Sequence, residues 1–414
     1  MEKEKVSLVG LGPGNTDFLS VSAKDKILSA DLIIGARRIL GSVKPFLKNE
    51  AEILESHDTE KIVARIKNFL NSGGFSKSVC VVFSGDTGFY SGSTALSARL
   101  SEEKIDFRIF PALSSVQYFS AKIGKSWQDW NLVSLHGCER NFTAEIMSSR
   151  QTFFLLGGKT TVQDIEKTLS ERGFSGKLTA GKDLSLESEK IFSVTMELGE
   201  PDARFPADFS ESSLVVLLSE NAAFRANLKP PLMDEDFIRE DGVPMTKRLV
   251  RATVLALLSV TDSEIVWDVG AGTGAVSVDI ALSSKCSVYS IEEKESAVEA
   301  EKKNRKKFCA LNMSIIHGKA PAALSFLPAP NVVFVGGSGG NLDAIVSIAL
   351  EKNPSARILV PCVTIETLSE CKKISEEKNI SIDVTQISVA STSKIGKYNM
   401  MRAENPVWLV RFGI

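Results

Sequence analysis

The sequence has few of the residues that build metal sites and disulfide frameworks. Its 414 residues include three histidines and six cysteines, and no two cysteines stand in C-x-x-C spacing. That spacing marks most zinc sites and redox motifs. We therefore expect no metal site and a reducing compartment.

Excess charge of one sign and long apolar runs are also lacking. Lys and Arg number 49 against 51 Asp and Glu, for a net charge of -2, so nothing favours nucleic acid or an anionic membrane as a partner. No apolar run approaches the roughly 18 residues that cross a bilayer, and the opening "MEKEKVSLVG" lacks the apolar core of a signal peptide. We expect a cytoplasmic protein with a small or medium-sized substrate.

Alternating strands and helices are present in both halves of the chain, which is typical of α/β proteins. The pattern lapses between 219 and 246, around the pair Pro230 and Pro231. We predict domains at 1–219 and 242–414, joined by a linker at 220–241. The predicted strands of the first half are Val6–Leu11, Asp31–Gly35, Val79–Ser84, Phe107–Pro111, Leu132–Leu135, Thr152–Leu156 and Leu214–Leu218, with helices at Thr59–Leu70 and Thr161–Glu171. Those of the second half suit a doubly wound sheet and are Glu264–Val269, Ser287–Ile291, Met313–Ile316, Val332–Val335, Arg357–Val360, Ile382–Ser388 and Val407–Phe412.

A glycine-rich turn follows the first strand of the second half, in "IVWDVGAGTG". Gly270, Gly272 and Gly274 would let a helix N-terminus approach a ligand closely. Glu292, at the end of the next strand, could accept hydrogen bonds from ribose hydroxyls. The same spacing fits the G-x-G-x-x-A of nicotinamide-binding proteins. Asp268, inside the strand where those proteins usually have an apolar residue, favours S-adenosylmethionine.

Ordered motifs around this turn carry a closer resemblance. "VPMTKRLVRATVLALL", "WDVGAGTGAVSVDIAL", "HGKAPAAL", "VVFVGGSGGNL" and "NPVWLV" resemble the cobalamin-pathway methyltransferases that methylate carbon 15 of a precorrin and remove an acetate carboxyl. The resemblance spans about residue 242 to the C-terminus. It implies an S-adenosylmethionine site with Glu292 on the ribose, Thr246 over the cofactor and Ala320 beside the adenine. The loop itself would be Gly270, Ala271, Gly272, Thr273 and Gly274.

A different glycine turn, "GLGPGN", follows the first strand of the chain. Pro13 makes it a rigid turn rather than a nicotinamide fingerprint, and alone it is equally consistent with a purely structural turn. With "DLIIGARRIL", "VVFSGDTGFYSG", "IFPALSSVQYFSAKIG" and "VSLHG" it resembles the tetrapyrrole methylase family, specifically its carbon 5 precorrin methylases. The resemblance implies two α/β lobes with S-adenosylmethionine in the cleft between them. The cofactor-binding residues would be Gly10, Gly12, Pro13, Gly14, Gly85, Asp86, Thr87, Gly88, Ser114 and Ser115.

The two resemblances together imply a fusion: a two-lobed tetrapyrrole methylase fold followed by a Rossmann-like class I methyltransferase domain, with one S-adenosylmethionine site in each. The substrate would be a precorrin or its cobalt form, and both families commonly self-associate. A carboxylate-rich tetrapyrrole needs cationic or N–H donors. The candidates for positioning it are Arg37, Arg38, His136, Lys247 and Arg248.

Three alternatives stay open from the sequence. The substrate could be another tetrapyrrole, or the Gly270 turn could serve a nicotinamide-dependent oxidoreductase. Lys319, Thr87 and Ala112 depart from the family patterns, and they leave room for a scaffold protein with degenerate sites.

Overall fold

The computed structural model describes residues 5–47, 51–72, 77–136, 140–157, 159–211, 215–224 and 229–413. Leu214, the first residue of one predicted strand, and Cys138 lie outside these ranges. Within them the chain forms two sheets in its N-terminal half and one large sheet with a separate hairpin in its C-terminal half.

The first sheet is entirely parallel, in the order β3-β2-β4-β1-β5. Its strands are β1 Val6–Gly10, β2 Leu32–Gly35, β3 Glu52–Glu55, β4 Val79–Phe83 and β5 Phe107–Phe110. The helices between and after them are α1 Val21–Ser29, α2 Arg37–Val43, α3 Thr59–Asn71, α4 Ser93–Glu102 and α5 Ser115–Lys122. In α3 the Asp58 carboxylate caps the N-terminus, and one face buries Ile62, Val63, Ile66 and Phe69 against the sheet.

The second sheet is mixed, in the order β10-β9-β8-β11-β7-β6, with only β6 and β7 parallel. Its strands are β6 Asn131–Ser134, β7 Gln151–Leu156, β8 Gly176–Lys182, β9 Lys190–Glu197, β10 Glu200–Pro201 and β11 Val215–Asn221. Its helices are α6 Phe142–Met147, α7 Val162–Glu171 and α8 Asp208–Glu211. A cleft lies between this sheet and the first one.

The third sheet has the order β14-β13-β12-β15-β16-β20-β17, in which β20 runs antiparallel to both neighbours. Its strands are β12 Ile265–Val269, β13 Ser287–Glu292, β14 Met313–His317, β15 Val332–Val335, β16 Arg357–Cys362, β17 Ile382–Ile387 and β20 Val407–Phe412. Its helices are α9 Arg248–Leu258, α10 Ala275–Ser283, α11 Glu295–Phe308, α12 Leu342–Lys352 and α13 Ile365–Lys378. The chain order reverses between β12 and β15, where open α/β sheets bind ligands. The predicted doubly wound sheet is confirmed.

Six strands of the structure have no counterpart among the predicted ones: β3, β8, β9, β10 and the hairpin of β18 Ala390–Ile395 with β19 Tyr398–Ala403. The edge strand β3 and the hairpin are largely exposed, so they carry little of the apolar alternation that reveals a strand. β9 does bury alternate residues, Val194 and Met196, and that alternation could have revealed it.

The two halves contact each other beside the edge strand β14. Cys309 and Leu311, just before β14, belong to the same apolar cluster as Phe174 of the N-terminal half. Polar contacts add to it: the Lys285 ammonium donates to the Glu145 carboxylate at 2.6 Å. The N-terminal and C-terminal cores are therefore packed together rather than separated by solvent.

Candidate functional site

The first glycine turn continues strand β1 beyond the sheet. Gly12 and Gly85 pair through two backbone hydrogen bonds of 3.2 and 2.9 Å, which join the turns after β1 and β4. Both glycines have left-handed φ values, +77° and +68°, which cost residues with a side chain free energy. A Cβ on Gly10 would lie 2.8 Å from the Gly85 carbonyl oxygen. The close approach of these turns therefore requires glycine.

The predicted acid and serine of the neighbouring loops hold backbone in place. The Asp86 carboxylate accepts from the backbone N–H groups of Ala112 and Gly88, both at 2.9 Å, and so ties two loops together. Ser114 caps helix α5 in a reciprocal arrangement with Gln117. These side chains shape the cleft through the backbone that they fix.

A cavity of about 550 Å³ lies in the cleft between the first two sheets. Six predicted residues line it: Pro13, Arg38, Gly85, Asp86, Ser115 and His136. The other predicted residues of this half do not line it: Gly10, Gly12, Gly14, Thr87, Gly88, Ser114 and Arg37. Residues that sequence reasoning missed complete the lining: Ser84, Phe89, Tyr90, Ser134, Arg140, Leu155, Leu156, Leu184, Val215 and Val216.

The two adjacent arginines of "GARR" differ in position. The Arg38 guanidinium donates to the Ser84 hydroxyl at 3.2 Å, at the edge of the cleft. The Arg37 side chain is 86% exposed and pairs with Glu55. Of the two, only Arg38 faces the cavity. His136 faces it from the second sheet and packs against Gly157, where a Cβ would lie 1.9 Å from the imidazole Nδ1.

The second glycine turn lies at the reversal point of the third sheet. Gly270, Gly272 and Gly274 have φ values of +72°, +59° and +74°. A Cβ on Gly270 would lie 2.5 Å from the Gly337 carbonyl oxygen, so the loop after β12 packs directly on the loop after β15. This is a close backbone approach that glycine alone allows.

The Glu292 carboxylate, at the end of β13, faces this loop. It accepts from the backbone N–H groups of Gly272, Glu293 and Lys294, each at 2.9 Å. A carboxylate has about four lone-pair sites, so these three bonds fix its orientation and leave capacity for a further donor. The predicted position of the acid beside the glycine loop agrees with this geometry.

A cavity of about 170 Å³ opens between this loop, Glu292 and the loops after β14 and β15. The predicted residues Gly270, Gly272, Glu292 and Ala320 line it. Four other predicted residues do not line this cavity: Ala271, Thr273, Gly274 and Thr246. Val243, Pro244, Lys319 and the run 336–339 complete much of the wall. The Lys319 ammonium is 3.7 Å from the Glu293 carboxylate and remains two-thirds exposed.

Two buried acids lie beneath the second loop. Burial raises the pKa of Asp268 to about 7, and the nearby Glu292 charge adds to this; the Ser277 hydroxyl, which donates at 2.6 Å, opposes it. Burial likewise raises the pKa of Glu301 to about 8, with Asp268 and Glu292 adding to it. A Cβ on Gly274 would lie 2.7 Å from Glu301 Cγ, so the loop rests directly on this side chain. Sequence reasoning missed Glu301, because a lone acid in a charged helix gives no signal.

A buried arginine braces the segment that contains Thr246. The Arg251 guanidinium donates to the Thr246 carbonyl at 2.6 Å, to Asp279 at 2.6 Å and to Asp234 at 2.7 Å. Arg248 instead donates to the Pro231 carbonyl at 3.0 Å, and Lys247 stands at the N-cap of α9. Neither Lys247 nor Arg248 lines either cavity.

Comparison with known proteins gives a separate family match for each half of the chain. A family model described as tetrapyrrole (corrin/porphyrin) methylases matches residues 5–199, and one described as a precorrin methyltransferase domain matches residues 236–412. A probable cobalt-precorrin-6B C(15)-methyltransferase (decarboxylating) from Pyrobaculum calidifontis is 39% identical over 184 residues, which cover 44% of this chain and 94% of the relative. The chain belongs to the precorrin methyltransferase family. The predicted resemblance and the methyltransferase activity class are confirmed.

One relative matches both halves at once. The precorrin-6Y C(5,15)-methyltransferase [decarboxylating] of a Sinorhizobium species is 26% identical over 411 residues, which cover 97% of this chain and 94% of the relative. Among solved structures, the precorrin-6y C5,15-methyltransferase of Geobacter metallireducens is 30% identical, covers 44% of this chain and 96% of its own, and has a TM-score of 0.42. The predicted α/β fold class is confirmed, and methyltransferases of this family generally use S-adenosylmethionine.

In the part of the chain that the structure describes, no helix is long and apolar enough to cross a membrane. Among the same residues, no group of three or more His, Cys, Asp or Glu side chains is placed to hold a metal ion.

Proposed function

We propose that the chain is a bifunctional S-adenosylmethionine-dependent methyltransferase of cobalamin biosynthesis. It methylates carbons 5 and 15 of precorrin-6 or its cobalt form and removes the carboxyl group of the C-12 acetate side chain. Residues 1–219 carry the carbon 5 reaction, residues 242–414 carry the carbon 15 reaction with decarboxylation, and 220–241 link them. One observation carries the proposal: each half has its own glycine-walled cavity, in a chain that matches the Sinorhizobium enzyme along both halves.

The C-terminal cavity fits S-adenosylmethionine by its donor and acceptor chemistry. Glu292 presents an oriented carboxylate to ribose hydroxyls, and Gly270 and Gly272, both at positive φ, bring backbone close to the ligand. Ala320 and the wall at Val243 and Pro244 offer apolar surface for an adenine. S-adenosylmethionine supplies an electrophilic methyl group, so no nucleophilic side chain is required of the protein.

The N-terminal cleft fits both a cofactor and an anionic macrocycle. Its wall includes Gly85, whose turn pairs with the turn at Gly12, and also Leu155, Leu156 and Val216, which suit a flat conjugated ring. Arg38 and Arg140 provide guanidinium donors for carboxylate arms at the edge. The residues of this half therefore bind and orient the substrate, which is the main requirement for methyl transfer to an electron-rich carbon.

Decarboxylation needs an electron sink, and the conjugated imines of the macrocycle supply it. The C-terminal half then contributes orientation and charge. Lys294 and Lys319 are the cations that line its cavity, and the Lys319 side chain is two-thirds exposed, so it can meet a substrate carboxylate. Lys247 and Arg248 lie outside that cavity, so Lys319 replaces them as our candidate for positioning substrate there.

Calorimetric titration of S-adenosylmethionine into the full chain tests the two-site proposal. We expect two sites in the wild type and one in Glu292→Gln, because the neutral amide loses charge-assisted bonds to the loop and cannot orient as the carboxylate does. Glu295→Gln, which changes an exposed carboxylate of the same segment that does not line the cavity, is the matched control and should keep both sites. A single site in the wild type would contradict the proposal.

The cytoplasmic location and self-association stay predictions. Cys80, Cys286, Cys309, Cys362 and Cys371 are buried free thiols, which is consistent with a reducing compartment.

A further inference from the structure

A third cavity, of about 400 Å³, lies between the two halves of the chain. The N-terminal half contributes Arg140, Thr143 and Arg172 to its wall, and the C-terminal half contributes Ser287, Tyr289 and Ser314. No carboxylate is among the described residues that line it. We refer to it as the interdomain cavity. Its wall combines two guanidinium groups with several hydroxyl groups.

The positive charge at this cavity is poorly compensated. The Arg172 guanidinium donates to the Leu311 carbonyl, to the Thr143 hydroxyl at 3.2 Å and to the Ser314 hydroxyl at 3.0 Å, all neutral acceptors. Arg305 is close by and donates to the carbonyls of Met313 and Glu171. Burial and the neighbouring Arg305 charge lower the pKa of Arg172 to about 10. A buried guanidinium without an anionic partner is costly.

The nearby carboxylates do not serve as the anionic partner of the Arg172 guanidinium. Glu145 pairs with Lys285 at 2.6 Å and is 4.0 Å from Arg140. The Glu171 residue is exposed, so water screens its carboxylate from the buried arginines. A bound anion would supply the missing counter-charge.

Two hydroxyl groups of the cavity accept hydrogen bonds and keep a proton to donate, whereas the Thr143 hydroxyl already donates to the Asn141 side-chain oxygen at 2.7 Å. The Ser314 hydroxyl oxygen accepts from Arg172, and the Ser287 hydroxyl oxygen accepts from the Asn141 amide at 2.9 Å. Each hydroxyl therefore has its own proton to donate elsewhere. The N–H groups of a planar guanidinium match the two oxygens of a carboxylate. Together with these hydroxyl protons, they can donate hydrogen bonds to an anionic ligand.

Arg140 connects this cavity to the N-terminal cleft, because it lines both. Its side chain is half exposed and its charge faces only the distant Glu145 among the ion pairs of the described residues. A carboxylate arm of a molecule in the cleft would therefore meet Arg140 before it reached Arg172.

We propose that the interdomain cavity is a carboxylate-binding subsite, in which Arg140 and Arg172 hold one carboxylate arm of the substrate that occupies the N-terminal cleft. The cavity is smaller than the cleft of about 550 Å³, so it takes an arm and not the macrocycle. The assignment of the carboxylate to a tetrapyrrole rests on the proposed function; the binding of a carboxylate does not.

The test is the thermal unfolding midpoint of the full chain, measured at constant ionic strength against tricarballylate and, separately, inorganic phosphate. A ligand that binds the native state raises the midpoint in a saturable way. We expect tricarballylate to do so in the wild type, with an apparent affinity about tenfold weaker in Arg140→Gln, which loses a charge-assisted contact. Arg65→Gln, which removes an exposed arginine paired with Glu52, should respond like the wild type.

Three outcomes would overturn the proposal: no saturable response to tricarballylate, an equal response in Arg140→Gln, or a response to phosphate alone, which would indicate a free-anion site. Because Arg140 also lines the N-terminal cleft, Ser287→Ala is measured beside it: this variant removes a donor that lines the interdomain cavity and not the cleft, without changing charge. We expect it to weaken tricarballylate binding as well, which distinguishes the interdomain cavity from the cleft. No S-adenosylmethionine is present in these measurements. The calorimetric count of cofactor sites therefore fails or succeeds independently of them.

Discussion

Arg251 places a positive charge inside the C-terminal core. It is 0% exposed, as is its partner Asp279. Its guanidinium also reaches the carbonyls of Leu232 and Thr246, so it joins the predicted linker and the segment beside the Gly270 cavity to helix α9. One side chain thus stabilises the core and positions a wall of the candidate site.

We expect Arg251→Met to destabilise the chain by about 3–5 kcal/mol, because it leaves the Asp279 carboxylate buried without a partner. Chemical denaturation of the full chain measures this. The double variant Arg251→Met with Asp279→Asn should recover part of the loss. If the double variant is as unstable as the sum of two independent losses, the two residues are not coupled as described.

Asp268 and Glu301 give the C-terminal half a specific pH dependence. Their folded pKa values, about 7 and about 8, lie above the ordinary values of 3.8 and 4.5 that these groups have in an unfolded chain. The native state therefore binds more protons than the unfolded state between these limits, and stability falls as pH rises from about 4 to about 8. Each unit of separation corresponds to about 1.4 kcal/mol.

The variant Asp268→Asn with Glu301→Gln should lose this part of the dependence. The free energy of unfolding, measured from pH 5 to 8, should fall less steeply than in the wild type. Asp25→Asn, at an exposed position of α1, serves as the control and should follow the wild-type slope. Identical slopes in all three proteins would show that the two acids are ionised in the folded chain.

The sequence located the acids and glycines of both sites because each stands at a fixed offset from a strand end. Glu292 and Gly270 belong to this group, whereas Gly85 and the other residues of the N-terminal loops came from the family resemblance. It could not locate Arg140 or Arg251, whose roles come from chain segments that meet only in the folded protein. The same reason explains why Lys247 and Arg248 were placed near substrate: sequence proximity to Thr246 does not say which way a helix turns.

At the scale of elements, most strands with buried faces were predictable to within a few residues, although β8 and β9 were missed. Val332–Val335 and Val407–Phe412 have the predicted bounds, because apolar runs ended by polar or glycine-rich segments define both ends. The exposed hairpin of β18 and β19 was not predicted, because its side chains contact solvent rather than a core. The topology of the first two sheets came from the family resemblance and not from periodicity.

Glycine positions differ sharply in their tolerance of a side chain, as Gly270 in a turn and Gly41 in a helix illustrate. Gly270→Ala would place a Cβ 2.5 Å from a backbone oxygen in a left-handed conformation; we expect a loss of about 1–3 kcal/mol and of cofactor binding to the C-terminal half. Gly41→Ala, inside α2 with no atom within 4 Å of the new Cβ, should stabilise by about 0.5–1 kcal/mol. Thermal unfolding and calorimetry distinguish them. Equal effects would show that the Gly270 loop is looser than described.

At the scale of the whole molecule, two unrelated sheet architectures lie in one chain and are packed against each other. The N-terminal cleft lies between two sheets, whereas the C-terminal cavity lies at the reversal point of one sheet. The interdomain cavity lies where the halves meet and shares Arg140 with the cleft. The proposed carboxylate-binding subsite thus lies between the halves to which we assign the two methylation reactions.

The central claim is that each half transfers a methyl group to a different carbon of the same substrate. Mass spectrometry of the product formed from a precorrin-6 substrate and isotope-labelled S-adenosylmethionine tests it directly. The wild type should add two labelled methyl groups and release one carbon dioxide, and Glu292→Gln should add one methyl group and retain the carboxyl group. A wild type that adds a single methyl group, or a Glu292→Gln variant that loses both, would contradict the account.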